Sequence, residues 1–506
     1  MKNTSTDSKS HQISHLNCKS MHNGQCTLIE TKGNTMNRTN PLKLDRGIVL
    51  TVLLVVMIGA TSQLRAEQAP LKEPTYHNLR YEEDFSYLDG PGDSYIQDIW
   101  NPIKWIAIGD DWHLTVGGQA RLRFESETDK DFGASSPSHD AFLLQRYFIH
   151  TDFRHVSGMR FFIQGKFAYS NDRDKGGEDT LENYADFHQA FMDVPLGETV
   201  WRLGRQELQY GNQRLISPLD WGNLRRSFDG VKVSADLSDW RIDAFAVRPV
   251  VNDIKDLDSW DQDRDFYGLY AMWKGSQELA ADYYFLVLKD DRDTTNSNGQ
   301  TGRQTVYTLG SRLYGKQDNW DYETEFGTQF GTYAGDRIRA WMATAGGGYT
   351  FAEANMQPKI GLFYDYASGD SDPTDGTHGT FNQLFPLGHA YFGYLDRVGR
   401  QNIHAIKTQL KIKPSKKLTA WADFHTFYVD KDKDALYGAN GKKLRTSTTG
   451  GSNEVGHELD LTAKYIINRH TSALVGWAHF WPGGFIERTG PSEDADLFYA
   501  QVEYTF

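Results

Sequence analysis

The residues best equipped for chemistry in this sequence are arginines at strand-like spacing. Arg121 and Arg123 alternate with apolar neighbours in QARLRFE, and Arg146, Arg154, Arg160 and Lys166 follow in similar surroundings. A second group, Arg205, Arg214, Arg225 and Arg226, brackets the stretch 207–225, which also holds Tyr210 and Trp221. A planar guanidinium grips a carboxylate through two parallel N–H bonds, so both groups suit a path for an anion. The competing reading is internal. Glu207, Asp220 and Asp229 lie close enough in sequence to pair with these arginines and pin the stretch in place. A contrasting set, Asp321, Glu323 and Glu325, alternates along one segment and is wholly acidic. Residues two apart on a strand share a face, so opposed basic and acidic walls would set up a transverse field. A ladder of interior salt bridges is the alternative for these walls too.

Other chemistries find little support. No G-x-S-x-G or H-E-x-x-H occurs. Gly310–Lys316 (GSRLYGK) has the glycine and lysine spacing of a phosphate-binding loop, but Gln317 stands where a magnesium-binding hydroxyl is required. Gly92-Asp93-Ser94 is too short to count as a lipase motif, and no outer-face Ser/His pair accompanies it. Asp430, Asp432 and Asp434 open like a calcium loop, yet Ala435 replaces its glycine and Gly441 its closing glutamate. These acids, with Asp370, Asp372 and Asp375, read as solvated loops. No metal and no cofactor is expected. A net charge of -13 argues against nucleic-acid binding, which needs a basic face.

The elements that must position the arginines follow from periodicity. Gly47–Ala60 is apolar, preceded by Arg38, Lys43 and Arg46 and followed by small and polar residues to Ala66. This is the layout of a secretory signal peptide cut after Ala66, with Met36 as an alternative start. Cys18 and Cys26, the two cysteines of the sequence, both precede it, so the mature chain offers no thiol chemistry. Residues 1–66 are therefore set aside. Residues 67–112 form a periplasmic N-terminal segment with Trp100, Trp105 and Trp112, packed at a rim or plugging it. From 113 to 506 the chain alternates with period two. Leu114, Val116, Ala120, Leu122 and Phe124 share one face, and Gln119, Arg121, Arg123 and Glu125 the other. The pattern recurs with Phe161, Ile163 and Phe167 against Arg160, Gln164 and Lys166, and with Trp320, Tyr322, Phe326 and Phe330 against the acidic set.

Read this way, the chain forms a transmembrane antiparallel barrel of about 18 strands, with apolar side chains outward and a wide charged interior. A mean hydropathy of -0.60 excludes a bundle of apolar helices but not such a barrel. Short turns at one rim alternate with long loops at the other, except that 332–335 is short where a long loop is due. In outer-membrane barrels the short turns are periplasmic. The chain ends on Phe498, Ala500, Val502, Tyr504 and Phe506 in alternation with polar residues. The closing Tyr504-x-Phe506 resembles the C-terminal assembly signal of outer-membrane barrels.

Several segments resemble the alginate-export family of porin-like outer-membrane proteins. They are LRYEEDFSYL (79–88), GDDWHLTVGGQARLRFE (109–125), LLQRYFIHTDF (143–153), LGRQELQYGNQRLI (203–216), RRSFDGVKV (225–233), GTFNQLFP (379–386) and VGHELDL (455–461). The resemblance implies a barrel in the cell outer membrane of a Gram-negative bacterium. It also implies passive transport or export of an anionic saccharide, such as an alginate-like polyuronate, or of small anionic solutes. Implied partners are outer-membrane lipids, lipopolysaccharide and the barrel-assembly machinery. An outer-membrane enzyme, or a structural or adhesive barrel with a closed lumen, is the alternative. In many porins the third long loop folds into the pore, and 207–225 occupies that place.

Overall fold

The computed structural model describes residues 71–174, 181–296, 298–446 and 450–506. The expected signal peptide, both cysteines and the rest of 1–70 lie outside the described residues. Among those described, eighteen long strands form one antiparallel ring. They are β1 (Trp112–Thr128), β2 (His139–His155), β3 (Arg160–Asn171), β4 (Asn183–Leu196), β5 (Thr199–Gln206), β6 (Phe228–Leu237), β7 (Trp240–Val251), β8 (Arg264–Trp273) and β9 (Ala280–Thr295). The second half comprises β10 (Thr301–Gln317), β11 (Trp320–Tyr333), β12 (Asp336–Thr350), β13 (Lys359–Ala367), β14 (Ile403–Ile412), β15 (Leu418–Val429), β16 (Glu454–Ile466), β17 (Thr471–Pro482) and β18 (Ala495–Thr505). Each pairs with its neighbours in the chain, and β1 closes on β18 from Gln119 opposite Thr505 to Thr128 opposite Asp496. A closed ring has no unpaired edge, the condition for strands to cross a bilayer. No helix among the described residues is long and apolar enough to cross a membrane.

Alternation sets the faces. On β1, Leu122 and Phe124 are 43% and 41% exposed on the outside, while Arg121 and Arg123, one residue away, are each 2% exposed on the inside. Phe161, Ile163, Trp320, Tyr322, Phe326 and Leu362 also point outward. The GSRLYGK segment lies within β10, so its spacing belongs to a strand and its turn. At the long-loop rim the exceptional short link is the two-residue turn Ala334–Gly335, both residues left-handed (φ 46° and 94°), as a tight hairpin requires. Gly204 and Gly230 face each other near the roots of the 207–227 loop. A Cβ on either would stand 2.3 Å from a backbone carbonyl, of Ala190 or of Ala246 respectively, so only glycine lets β4 to β7 approach so closely there.

The interior differs from the wide charged space that alternation suggests. The inward positions Phe228, Phe245, Phe266, Tyr270 and Tyr284 on β6 to β9 are aromatic. They receive Leu215 and Ile216 from the 207–227 loop and Phe381 and Phe385 from the 368–402 loop, forming an apolar core inside the barrel. The 430–453 and 483–494 loops add Leu436, Phe485 and Ile486. Of the acidic loop residues, Asp372 and Asp375 are exposed as the solvated reading expects, while Asp370, Asp430 and Asp434 depart from it. Asp430 accepts from Tyr366 Oη (3.0 Å) and the Gly369 N–H (3.0 Å), and Asp370 and Asp434 are buried.

The segment 71–111 enters the short-turn mouth. Tyr81 packs edge-on against the inward-facing Phe162 (6.2 Å) and Phe191 (5.5 Å). Arg80 Nη2 donates to the Phe506 carbonyl (3.0 Å), and Trp100 stacks on the Phe506 ring (4.3 Å).

Candidate functional site: the loop crossing of the lumen

The 207–227 loop leaves β5, crosses the lumen and returns to β6. Its far turn, Leu219–Gly222, meets the inner face of β1 and β2. The chain reverses there with Leu219 left-handed (φ 55°), which points successive carbonyls at the wall. Arginines supply the missing donors. Arg121 donates to the carbonyls of Asp220 (2.7 Å), Trp221 (3.2 Å) and Gly222 (3.0 Å). Arg146 donates to the Asp220 and Gly222 carbonyls (2.8 and 3.0 Å) and to the Asp220 carboxylate (2.8 Å). Arg123 donates to the Trp221 carbonyl (2.8 Å) and Glu125 (2.6 Å), with its guanidinium 3.9 Å above the Trp221 ring. The other edges of that ring meet Tyr394 and Tyr499.

The root of the loop is fixed from within. Arg225 binds Glu207 and Asp220, both at 2.5 Å, and His188 Nε2 lies 2.7 Å from Glu207. Arg205 forks onto Asp229 (2.8 and 3.0 Å). Arg226 donates to the carbonyls of Ser217 (3.0 Å) and Phe385 (2.7 Å). Phe385 belongs to the 368–402 loop, which reaches in from the opposite wall. Its N–H donates to Leu215 O (2.9 Å), and its carbonyl accepts from the Ser217 N–H (2.9 Å). The two infolded loops thus join through a short parallel bridge, Ile216 beside Phe385.

On the acidic wall, Arg214 pairs with Glu323, Glu325 (3.1 Å) and Asp365 (3.7 Å), under the ring of Tyr391 (4.5 Å). Glu323 also meets Arg312 (3.3 Å), and Asp321 meets Lys359 (2.7 Å). The remaining cations lie away from the crossing. Arg154 and Arg160 share Asp152 (2.9 and 2.6 Å) and donate to the Glu83 and Tyr81 carbonyls, holding the N-terminal segment. Lys166 binds Asp258 (2.6 Å), toward the long-loop rim.

The structure therefore brings Arg121, Arg123, Arg146, Arg225 and Arg226 together at the loop, sets Arg214 against the acidic wall, and separates Arg154, Arg160, Lys166 and Arg205 from both. Alternation puts Asp365 inward on β13, but sequence reasoning missed Arg312 and Arg400. The inward phase of β10 would have found the first. Arg400, which reaches Asp365 at 2.6 Å, sits in a loop without periodicity.

Charge at the crossing is uneven. Burial works against ionising Asp220, but Arg146, Arg225 and Arg121 hold its carboxyl well below the usual range. Burial depresses Arg225, yet Glu207 and Asp220 more than restore it, so it stays protonated. Arg226 is pushed down to about 10 by burial and by Arg264, and remains cationic at neutral pH. Neither Arg121 nor Arg226 forms an ion pair within 4.0 Å among the described residues; the groups they donate to are backbone carbonyls.

The alginate export family matches residues 112–500, from the first barrel strand nearly to the last. The chain belongs to that family. As an alginate-export-family barrel it also shares its fold with solved structures at low identity. Pseudomonas aeruginosa OccK11 (OpdR) is 13% identical with a TM-score of 0.52, covering 78% of this chain and 96% of that one. Pseudomonas aeruginosa OpdQ is 15% identical with a TM-score of 0.54, covering 78% and 98%. Acinetobacter baumannii OccAB2 is 11% identical with a TM-score of 0.55, covering 78% and 98%. No curated protein sequence matches the chain. This alginate-export-family protein is an outer-membrane channel. Its short turns, both ends of the barrel and the 71–111 segment then face the periplasm, and the infolded loops descend from outside.

Proposed function

We propose that this barrel passes small anionic solutes by passive diffusion, including a single strand of an anionic saccharide such as an alginate-like polyuronate. The carrying observation is the pair Arg121 and Arg226. Their hydrogen bonds go to backbone carbonyls, which do not cancel their charge, where the loop narrows the lumen. In a narrow low-dielectric passage the charges at the constriction set selectivity, whatever the net charge of the protein. The Asp220 side chain is 41% exposed there, and the buried guanidiniums of Arg146 and Arg225 pair with it and offset its charge. On this reading the outward apolar and aromatic side chains face lipid and lipopolysaccharide, and Tyr504 and Phe506 address the barrel-assembly machinery.

The test is liposome swelling with galacturonate, its oligomers and arabinose. Faster entry of the acids than of the neutral sugar supports the reading, and the reverse order contradicts it. The bridge between Ile216 and Phe385 favours a second reading, a structural or adhesive barrel with a closed lumen. Liposomes that swell in none of these solutes would select it.

A further inference from the structure

A cavity of about 250 Å³ lies near the outer rim, between β9 to β12 and the infolded 368–402 and 430–453 loops. It is separate from the arginine-held turn, which rests on β1 and β2. Three carboxylates line it. Asp434 is occupied, accepting from the backbone N–H groups of Asp370 (3.0 Å) and Ala435 (2.7 Å) and the hydroxyls of Thr380 (2.5 Å) and Tyr437 (2.9 Å). Asp370 accepts from backbone, the N–H of Asp372 (3.2 Å) among its donors. Asp336, at the start of β12, is 7% exposed and makes no hydrogen bond or ion pair among the described residues. No side-chain or backbone donor among the described residues reaches this carboxylate, which lines the cavity and is open to a donor from within it.

Two further features define which donor would fit. Tyr333 and His378 stack at 4.0 Å with their planes 9° apart, giving the cavity a flat aromatic wall. Burial pushes His378 down to about 4, so it is neutral. Lys443 is exposed at the rim, leaving the cavity acidic. The side-chain amides of Gln304 and Gln401 complete a lining rich in polar groups.

We infer that this cavity is a binding subsite for a small hydroxylated organic cation with the chemistry of an amino sugar. Its ammonium group supplies the charge and donors that Asp336 lacks. Its hydroxyls exchange hydrogen bonds with the amides, and its C–H face lies against the Tyr333–His378 wall. A cationic ligand here is distinct from the anions proposed for the crossing, and the two stand or fall separately.

Isothermal titration of the full-length protein in detergent at neutral pH tests this with D-glucosamine, D-glucose and D-glucuronate. Glucosamine is expected to bind at least tenfold more tightly than glucose, with glucuronate weakest. Asp336→Asn should remove that advantage while the protein keeps its folded, heat-modifiable band. If that variant fails to fold, Asp370→Asn carries the same comparison. Absence of glucosamine binding, equal affinity for glucose, preference for glucuronate, or an undiminished advantage in a folded variant would each overturn the proposal.

Discussion

Arg146 holds Asp220 twice, donating to its backbone carbonyl and to its carboxylate, both at 2.8 Å. The guanidinium is wholly buried on the inner wall of β2, and the aspartate is the far turn of a loop rooted between β5 and β6. With Arg121 and Arg123, this side chain fixes how far the loop reaches across the lumen.

Arg146→Ala removes the donors to Asp220, Gly222 and Gln119 together. Hydrogen bonds to a charged group contribute about 1.5–3 kcal/mol each and do not add, so docking of the turn should weaken by roughly 2–4 kcal/mol. The folded variant should be cut by trypsin at Arg214 or Arg225 when the parent is not, and its single-channel current should be larger and noisier. Unchanged protection would show that Arg121 and Arg123 suffice to hold the turn.

Phe506 combines two roles that can be separated. Its backbone exchanges hydrogen bonds with Gly118 (2.9 and 3.0 Å), and its ring stacks on Trp100. Deleting Phe506 should lower heat-modifiable protein in the outer membrane several-fold. Trp100→Ala, which removes the stacking and leaves the terminus intact, should not. Equal losses in both would assign the effect to packing of the 71–111 segment.

The 368–402 loop carries opposing titrations. Burial pushes Asp370 and Asp396 up to about 6, and pushes His378 and His389 down to about 4 and 3. The aspartates bind protons more tightly in the docked loop, so their contribution to docking falls as pH rises from about 4 to 6. The histidines bind protons less tightly when docked, so theirs rises from about 4 to 6.5. The two trends oppose across the shared window. In an Asp370→Asn, Asp396→Asn double variant the histidines act alone, and docking should strengthen as pH rises. Amide exchange at Phe392 and Leu395, corrected for its intrinsic pH dependence, measures this. Weaker protection at higher pH in the double variant would contradict the assignment.

The strands were legible because their signal is local. Leu122 and Arg123 declare their faces by parity alone, and the same rule phases most of the strands, though not β4 or β17. The C-terminal pattern and the short 332–335 link were readable for the same reason. What the arginines hold was legible only in part: the pairings with Glu207, Asp220 and Asp229 follow from the sequence, but the carbonyl contacts do not. Arg121 reaches backbone carbonyls of Asp220, Trp221 and Gly222, and a carbonyl has no residue identity in a sequence. The infolding of 368–402 was equally silent, because loops carry no period and its contact with Leu215 spans the lumen. Its trace was the aromatic inward phase of β6 to β9 at Phe228, Phe245, Phe266 and Tyr270, which marks wall positions meant for protein rather than water. Asp430 and Asp434 looked solvated because acidic runs usually are, while their partners are Tyr366 on the distant strand β13, Thr380 in the 368–402 loop and Tyr437 in a loop without period.

On the proposed function, the charge of Arg121 and Arg226 governs what crosses the loop-narrowed lumen. Two unit charges about 4 Å apart interact by about 4 kcal/mol at an effective dielectric of roughly 20, and about 1.4 kcal/mol is a tenfold preference. The direct measurement is the zero-current potential of the full-length protein in a planar bilayer under a salt gradient, for the parent and for Arg121→Gln and Arg226→Gln, which keep polar donors and remove the charge. The account predicts anion preference in the parent and a several-fold reduction in each variant. Cation preference in the parent, or the same potential in all three proteins, would contradict it.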